Sequence, residues 1–265
     1  MIQPLTAGNA RVKDARRLSR RSERSERRLF LAEGPNALTS ALARPGCVVE
    51  VFATPAAADR YADLLVDAPA VVLVDDRAMA ALSDAVTPPG LVAVCRFLDV
   101  ALDDVLAASP RLVAVCADVR DPGNAGTVVR TADAAGADAV VLAGEAVDLH
   151  NPKTVRASAG SAFTLPVAVE RDPAAVVRRL QDAGLAVLAT TGGGDLDLFE
   201  ADDVLAGPVA WLLGNEAAGL PADLLALADH RVSIPIRGRA ESLNLATAAA
   251  VCLYASARVA GRPGA

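Results

Sequence analysis

Trp211-Leu212-Leu213-Gly214-Asn215-Glu216-Ala217-Ala218-Gly219-Leu220-Pro221 reads as a strand that stops abruptly. The residues from Val209 to Leu213 are all apolar, with no polar alternation. That pattern marks a strand covered on both faces, as in parallel sheets. Gly214 lets another backbone or a ligand come close. Glu216 sets a carboxylate just beyond the strand, and strand ends are where ligands gather in open α/β sheets. An ordinary βα turn with an exposed Glu has the same letters.

Outward from this segment, apolar runs alternate with helix-like stretches. Strands are expected at 112–117, 139–142, 186–190 and 232–234, and helices at 125–135, 174–183, 222–228 and 243–259. This series defines a second α/β domain, 111–265. Upstream, strands at 29–32, 47–53, 71–74 and 91–96 alternate with helices at 35–43, 56–66 and 77–85, a smaller α/β domain over 1–98. The acidic stretch 99–110 ends at Pro110 and reads as a linker with a helical turn.

Two further segments carry polar groups where a core pattern does not ask for them. Asp121-Pro122-Gly123-Asn124-Ala125-Gly126-Thr127-Val128-Val129-Arg130 follows a strand and opens a helix. Its turn chemistry is plain, and Asn124 or Thr127 would satisfy backbone groups at the helix start. Arg130 lies six residues past Asn124, near two helical turns, so both would face one pocket. A strand–turn–helix corner with a surface Arg fits equally. Ile234-Pro235-Ile236-Arg237-Gly238-Arg239-Ala240-Glu241-Ser242-Leu243-Asn244 leaves a strand, loops, and enters an apolar helix, with Ser242 the natural N-cap. A helix apolar all round is buried on all sides, and Asn244 inside it would need a partner. A dinucleotide fingerprint is missing: G-x-G-x-x-G does not occur, and Gly192-Gly193-Gly194 runs into Asp195.

Composition narrows the chemistry. Of 265 residues, 53 % are hydrophobic, which excludes disorder over the whole chain. Eight aromatics leave little for base-stacking platforms. The four cysteines form no C-x-x-C pair, and two histidines 80 residues apart supply no metal cluster. The first ten residues lack the apolar core of a signal peptide, and the longest apolar stretch, 243–257, is too short to span a membrane. The protein is therefore expected to be cytoplasmic. Net charge is −6, yet between Arg11 and Arg28 nine basic residues face three acids, so this segment is +6 and the rest −12. A local basic patch on an acidic chain points to a polyanion held by one region. A solvated, charge-laced helix is the other reading.

The order and spacing of the three segments resemble the SpoU (TrmH-type) family of RNA ribose 2′-O-methyltransferases in the SPOUT superfamily. The motifs are N-x-G-x-x-x-R, then G-N-E-x-x-G-L-P, then I-P-I-x-G-x-x-E-S-L-N, over about residues 112–260. Asn9-Ala10-Arg11-Val12-Lys13 and Leu31-Ala32-Glu33-Gly34 resemble the opening of that family's N-terminal RNA-substrate-binding domain. One departure is Ala217, where many relatives carry Gly.

The resemblance implies a SPOUT-type, mostly parallel sheet whose C-terminal segment is threaded into a trefoil knot. It implies S-adenosylmethionine held by Gly214, Ile234 and Leu243, with Thr190, Thr191 and Gly192 as further candidates. Arg130 becomes the functional arginine, with Asn124, Glu216, Ser242 and Asn244 orienting it and the ribose; no metal is needed. RNA would be held by Arg11, Lys13, Arg16, Arg17, Arg20 and Arg21, with Arg156 as a phosphate contact. The implied substrate is rRNA rather than tRNA, with 23S rRNA favoured, and the implied assembly is a homodimer. A non-catalytic RNA-binding or ribosome-assembly protein that keeps the fold is the alternative.

Overall fold

The computed structural model describes residues 3–261; the outermost positions of the expected domains, 1–2 and 262–265, lie outside it. The chain divides into two compact units, Met1–Leu98 with Asp148–Thr164, and Asp99–Val147 with Leu165–Ala265.

The first unit carries four strands, β1 (Leu29–Glu33), β2 (Val48–Ala53), β3 (Val71–Leu73) and β4 (Leu91–Arg96), in the order β1-β4-β2-β3. β4 is antiparallel to both its neighbours, and β2 and β3 are parallel. The basic segment forms two helices, Ala10–Arg17, N-capped by Asn9, and Arg21–Arg27. Val12, Ala15 and Leu18 recur every three residues and enter the core with Phe52, Met79 and Val92. Lys13 and Arg16 therefore stay in water.

The excursion 148–164 belongs to this first unit, whereas the sequence placed it in the second domain. Nothing in its composition marks it; the tie is side-chain chemistry. Arg24, 3 % exposed, donates to Asp148 at 2.6 and 2.9 Å and to the carbonyls of Leu18 and Ser19. His150 Nε2 accepts the Leu98 N–H at 2.9 Å, which puts its proton on Nδ1, toward Asp148. Its ring stacks on Phe97 at 3.7 Å. Burial alone would raise the Asp148 carboxyl, but the His150 and Arg24 hydrogen bonds and the Arg24 charge outweigh it and hold it well below the usual range.

The second unit is built on seven strands: β5 (Leu112–Ala117), β6 (Ala139–Ala143), β7 (Val167–Glu170), β8 (Ala186–Thr190), β9 (Leu196–Asp197), β10 (Val209–Leu213) and β11 (His230–Ser233). Their order is β7-β6-β5-β10-β8-β11-β9, and every pair is parallel. The late strands β10 and β11 each enter between strands formed earlier. Two strands escaped the sequence reading: β9, whose two residues give too little pattern, and β7, an edge strand with Val169 half exposed.

Alternate residues of β5, Val113, Val115 and Ala117, enter one core with Val141, Val187 and Leu212. Leu102 and Val105 lie in the same cluster. The stretch 99–110 is thus not a linker: its helix Leu102–Ala107 is amphipathic and its apolar stripe is needed there. The other residues of β5 and β10 face the helices Pro122–Ala134 and Leu245–Val259. Trp211 Nε1 donates to Ser256 Oγ at 2.9 Å, both buried, which fixes the last helix to β10. That helix buries one face only, through Ala246, Ala249, Cys252, Leu253 and Ser256; Tyr254 on it is 53 % exposed. Within the single chain the burial expected all round is not reached, and the face carrying Tyr254 is left uncovered.

Candidate functional site

Four parallel strands, β5, β10, β8 and β11, lie side by side and end at one edge of the sheet. Asp118, Gly214, Thr190 and Ile234 stand at or just past those ends. All three segments singled out in the sequence start there.

Asp121, not Asn124 or Thr127, caps the helix Pro122–Ala134: its carboxylate accepts the Asn124 N–H at 2.8 Å. The Thr127 hydroxyl instead donates to the Gly123 carbonyl at 2.7 Å. This frees the Asn124 side chain. Its Nδ2 donates to Glu216 Oε1 at 3.1 Å, and its Oδ1 accepts from Asn244 Nδ2 at 3.1 Å. Asn244 Oδ1 accepts the N–H groups of Ala246 and Thr247 at 2.9 and 3.3 Å. The N-cap is therefore Asn244 rather than Ser242, and the helix opens two residues later than expected. Asn244 is better suited, since its amide caps with the oxygen and still donates with the nitrogen.

The relay Glu216–Asn124–Asn244 has a fixed sense. A carboxylate only accepts at one end, and helix N–H groups only donate at the other, so neither amide can flip without losing bonds. Glu216 also accepts from the N–H groups of Arg120 at 3.2 Å and Asp121 at 3.0 Å. Partial burial works to raise its pKa, but the Asn124 amide and these backbone donors prevail and keep the carboxyl below its ordinary value. Burial, and then the Glu216 charge, push the Cys116 thiol up to about 12, so it is no nucleophile at neutral pH.

Arg130 and Ser242 are not brought into this relay. Both are exposed, and among the described residues neither side chain makes a hydrogen bond or ion pair. Six residues of helix turn the chain by roughly 600°, leaving Arg130 about 120° around the axis from Asn124. The expected common pocket for the pair is not formed by the protein alone. Sequence reading also missed Asn215. Its Nδ2 donates to the Asp118 carbonyl at 2.8 Å and its Oδ1 accepts from the N–H groups of Ala217 and Ala218. An Asn in a turn reads as local turn chemistry, and a partner 97 residues away leaves no sequence signal.

Gly214 is required by the chain itself. Asn215 and Gly219 exchange backbone hydrogen bonds at 3.0 and 2.9 Å, folding the loop back over Gly214. A Cβ there would lie 2.6 Å from Leu220 N and 2.7 Å from Gly219 O. Gly214→Ala is accordingly expected to destabilise the protein by about 1–3 kcal/mol, the usual scale of overpacking. Urea denaturation would read this as a lower midpoint at unchanged slope; an unchanged midpoint rules the loop closure out as the reason for glycine.

The remaining cofactor candidates frame an open edge. Cβ atoms on Gly192 or Gly193 would meet nothing within 4 Å. Among the described residues, the N–H groups of residues 236–243 donate to no protein acceptor. Ile236 and Leu243 on that loop are exposed apolar side chains. Free backbone donors beside aliphatic side chains suit a flat heterocycle with ring acceptors, such as the adenine of S-adenosylmethionine.

Several expected RNA contacts are committed elsewhere. Arg11 pairs with Glu50 at 2.7 Å and Arg17 with Glu23 at 2.7 Å. Arg156 bridges Glu33 and Asp84, both at 3.2 Å, within the first unit. Lys13, Arg16, Arg20 and Arg21 are exposed and make no ion pair among the described residues. Among those residues no three His, Cys, Asp or Glu side chains group to hold a metal ion, and no helix is long and apolar enough to cross a membrane.

The SpoU rRNA Methylase family matches residues 111–254, and the MRM3-like substrate binding domain matches residues 9–93. The chain is 37 % identical over 257 residues to the 23S rRNA (guanosine(2553)-2′-O)-methyltransferase RlmP of Bacillus subtilis (strain 168), covering 96 % of this chain and 98 % of that protein. An AdoMet-bound rRNA methyltransferase from Sinorhizobium meliloti superposes with a TM-score of 0.85 at 33 % identity, over 97 % of both chains. The SpoU methyltransferase AviRb from Streptomyces viridochromogenes, in complex with the cofactor AdoMet, gives a TM-score of 0.84 at 32 % identity, over 94 % of this chain and 97 % of that one.

Proposed function

Because the chain belongs to the SpoU rRNA methylase family, we propose that it transfers a methyl group from S-adenosylmethionine to a ribose 2′-hydroxyl of 23S rRNA. The observation that carries this reading is the Glu216–Asn124–Asn244 relay, which joins all three sequence motifs at the ends of β5, β10 and β11. When bound, S-adenosylmethionine supplies an electrophilic methyl group. The loops at Thr190, Thr191 and Gly192, at Gly214, and at Ile234 to Leu243 hold it through backbone groups and aliphatic contacts.

The alcohol is a weak nucleophile and must lose its proton as it attacks. Arg130 would use its fork of donors to stabilise the developing oxyanion or clamp the adjacent phosphate. The relay fixes the start of the helix that carries it. Ser242, exposed beside Asn244, is a contact for the ribose. The order of β10 and β11, each entering between earlier strands, supports the threaded knot.

Calorimetric titration with S-adenosylmethionine and mapping of 2′-O-methyl positions in 23S rRNA of a deletion strain test the reading. A chain that neither binds the cofactor nor leaves a position unmethylated on deletion is not this enzyme.

RNA is held by Lys13, Arg16, Arg20 and Arg21, the basic side chains of the patch that are not already paired. Neutralising these four is expected to flatten the salt dependence of RNA binding by roughly 0.7–0.9 in slope per lost phosphate contact, with cofactor affinity unchanged. An unaltered slope would make the patch a solvated helix. The enzyme works as a homodimer through the last helix. Tyr254 and, from the neighbouring turn, Phe199 lie 53 % and 58 % exposed, and closed two-fold pairs are the commonest way to cover such a face. Sedimentation at twice the monomer mass checks this.

A further inference from the structure

Asp118 follows β5 with φ of 54°, in the left-handed region that few non-glycine residues besides Asn and Asp adopt. Three bonds hold it there. Its N–H donates to the Ala143 carbonyl at 2.9 Å, its Oδ1 accepts the Glu145 N–H at 2.8 Å, and its carbonyl accepts from Asn215 Nδ2 at 2.8 Å. The site is shaped to receive it: a side chain on Gly144, whose φ is +79°, would collide with the Asp118 carboxylate.

The consequence of the turn is directional. Val119 is sent into the core, 0 % exposed, and the next two N–H groups, of Arg120 and Asp121, face the Glu216 carboxylate. Glu216 is thus gripped from both sides. Its chain neighbour Asn215 holds the Asp118 carbonyl, and its carboxylate holds the peptides two and three residues beyond Asp118. The left-handed turn sits beside the relay, and the Asp118 carboxylate is spent on the Glu145 N–H.

We propose that Asp118 is a positioning residue for methyl transfer: its left-handed turn, locked by its carboxylate on the Gly144–Glu145 peptide, sets the orientation of the Glu216–Asn124–Asn244 relay. The proposal rests on the reading of that relay as part of the catalytic machinery. Misplacing such a group by about 1 Å is enough to cost up to roughly 10²-fold in rate.

Three variants separate backbone from carboxylate. Asp118→Gly keeps the left-handed turn and loses the lock. Asp118→Asn tolerates the turn and keeps an acceptor oxygen. Asp118→Val cannot adopt the turn without strain. Single-turnover methyl transfer at saturating RNA and S-adenosylmethionine is expected to fall about 10-fold or more in Asp118→Gly and to recover most of its rate in Asp118→Asn, with both dissociation constants unchanged. Asp118→Val should be slower still. Where Asp118→Val does not fold, the Gly and Asn pair decides. A wild-type rate in Asp118→Gly, or a loss confined to binding, overturns the proposal. Glu216→Ala, which removes the acceptor at that end of the relay, measured alongside, distinguishes the two levels. Should it too keep the wild-type rate, the relay is not catalytic and both readings fall; should it lose rate while Asp118→Gly does not, only the positioning role falls.

Discussion

Arg130→Ala is expected to fold and bind S-adenosylmethionine normally while single-turnover methyl transfer drops roughly 10²–10³-fold, the scale of removing one preorganised donor. Arg130 is exposed and unpaired among the described residues, so its removal leaves no buried partner stranded. The loops assigned to the cofactor follow β8, β10 and β11, whereas Arg130 stands on the helix after β5. Arg130→Lys should recover little, because a point charge does not reproduce a bidentate fork. A fall in RNA affinity with an unchanged transfer step would reduce Arg130 to docking. Full rescue by Lys would remove geometry as the reason for an arginine.

The second large effect is on stability. Asp148→Ala leaves the Arg24 guanidinium, 3 % exposed, buried without its counter-charge. Breaking such a pair costs about 3–5 kcal/mol. The native carboxyl is depressed below its ordinary value. Its contribution is therefore complete above the unfolded pKa and is lost as pH falls through the lower, native one. Wild type should lose stability in acid by this route, and Asp148→Ala should show less of that loss. A denaturation midpoint within experimental error of wild type would show the pair to be dispensable.

Runs of buried apolar residues such as Leu112–Ala117 and Val209–Leu213 were legible because a strand covered on both faces has no polar letters to disguise it. Asn124 and Glu216 were legible only through the family resemblance, since each reads locally as turn chemistry, whereas Asn244 stood out as a polar residue at the opening of an apolar helix. Contacts made across long stretches of chain were not legible. Arg156 looks like any surface arginine until Glu33, 123 residues away, is found beside it. Arg11 and Arg17 look free until their carboxylates are placed. Asp118 gives no warning of its left-handed backbone, since its strain exists only because Gly144, Glu145 and Asn215 converge on it.

The return of residues 148–164 to the first unit sets a timetable for synthesis. When Leu98 leaves the ribosome, Arg24 has no counter-ion and Phe97 has no ring to stack on, because Asp148 and His150 are about fifty residues from being made. At roughly 5–20 residues per second that gap lasts about 3–10 s. During it the nascent first unit holds the Arg24 charge without its carboxylate, although the cluster of Val12, Leu18, Phe52 and Val92 draws on no residue beyond 98. The second unit waits as well, since β7 joins β6 only after the excursion has been translated. The first unit is thus complete only once residues 148–164 have been translated, and a fragment ending at residue 98 would lack the counter-charge of Arg24.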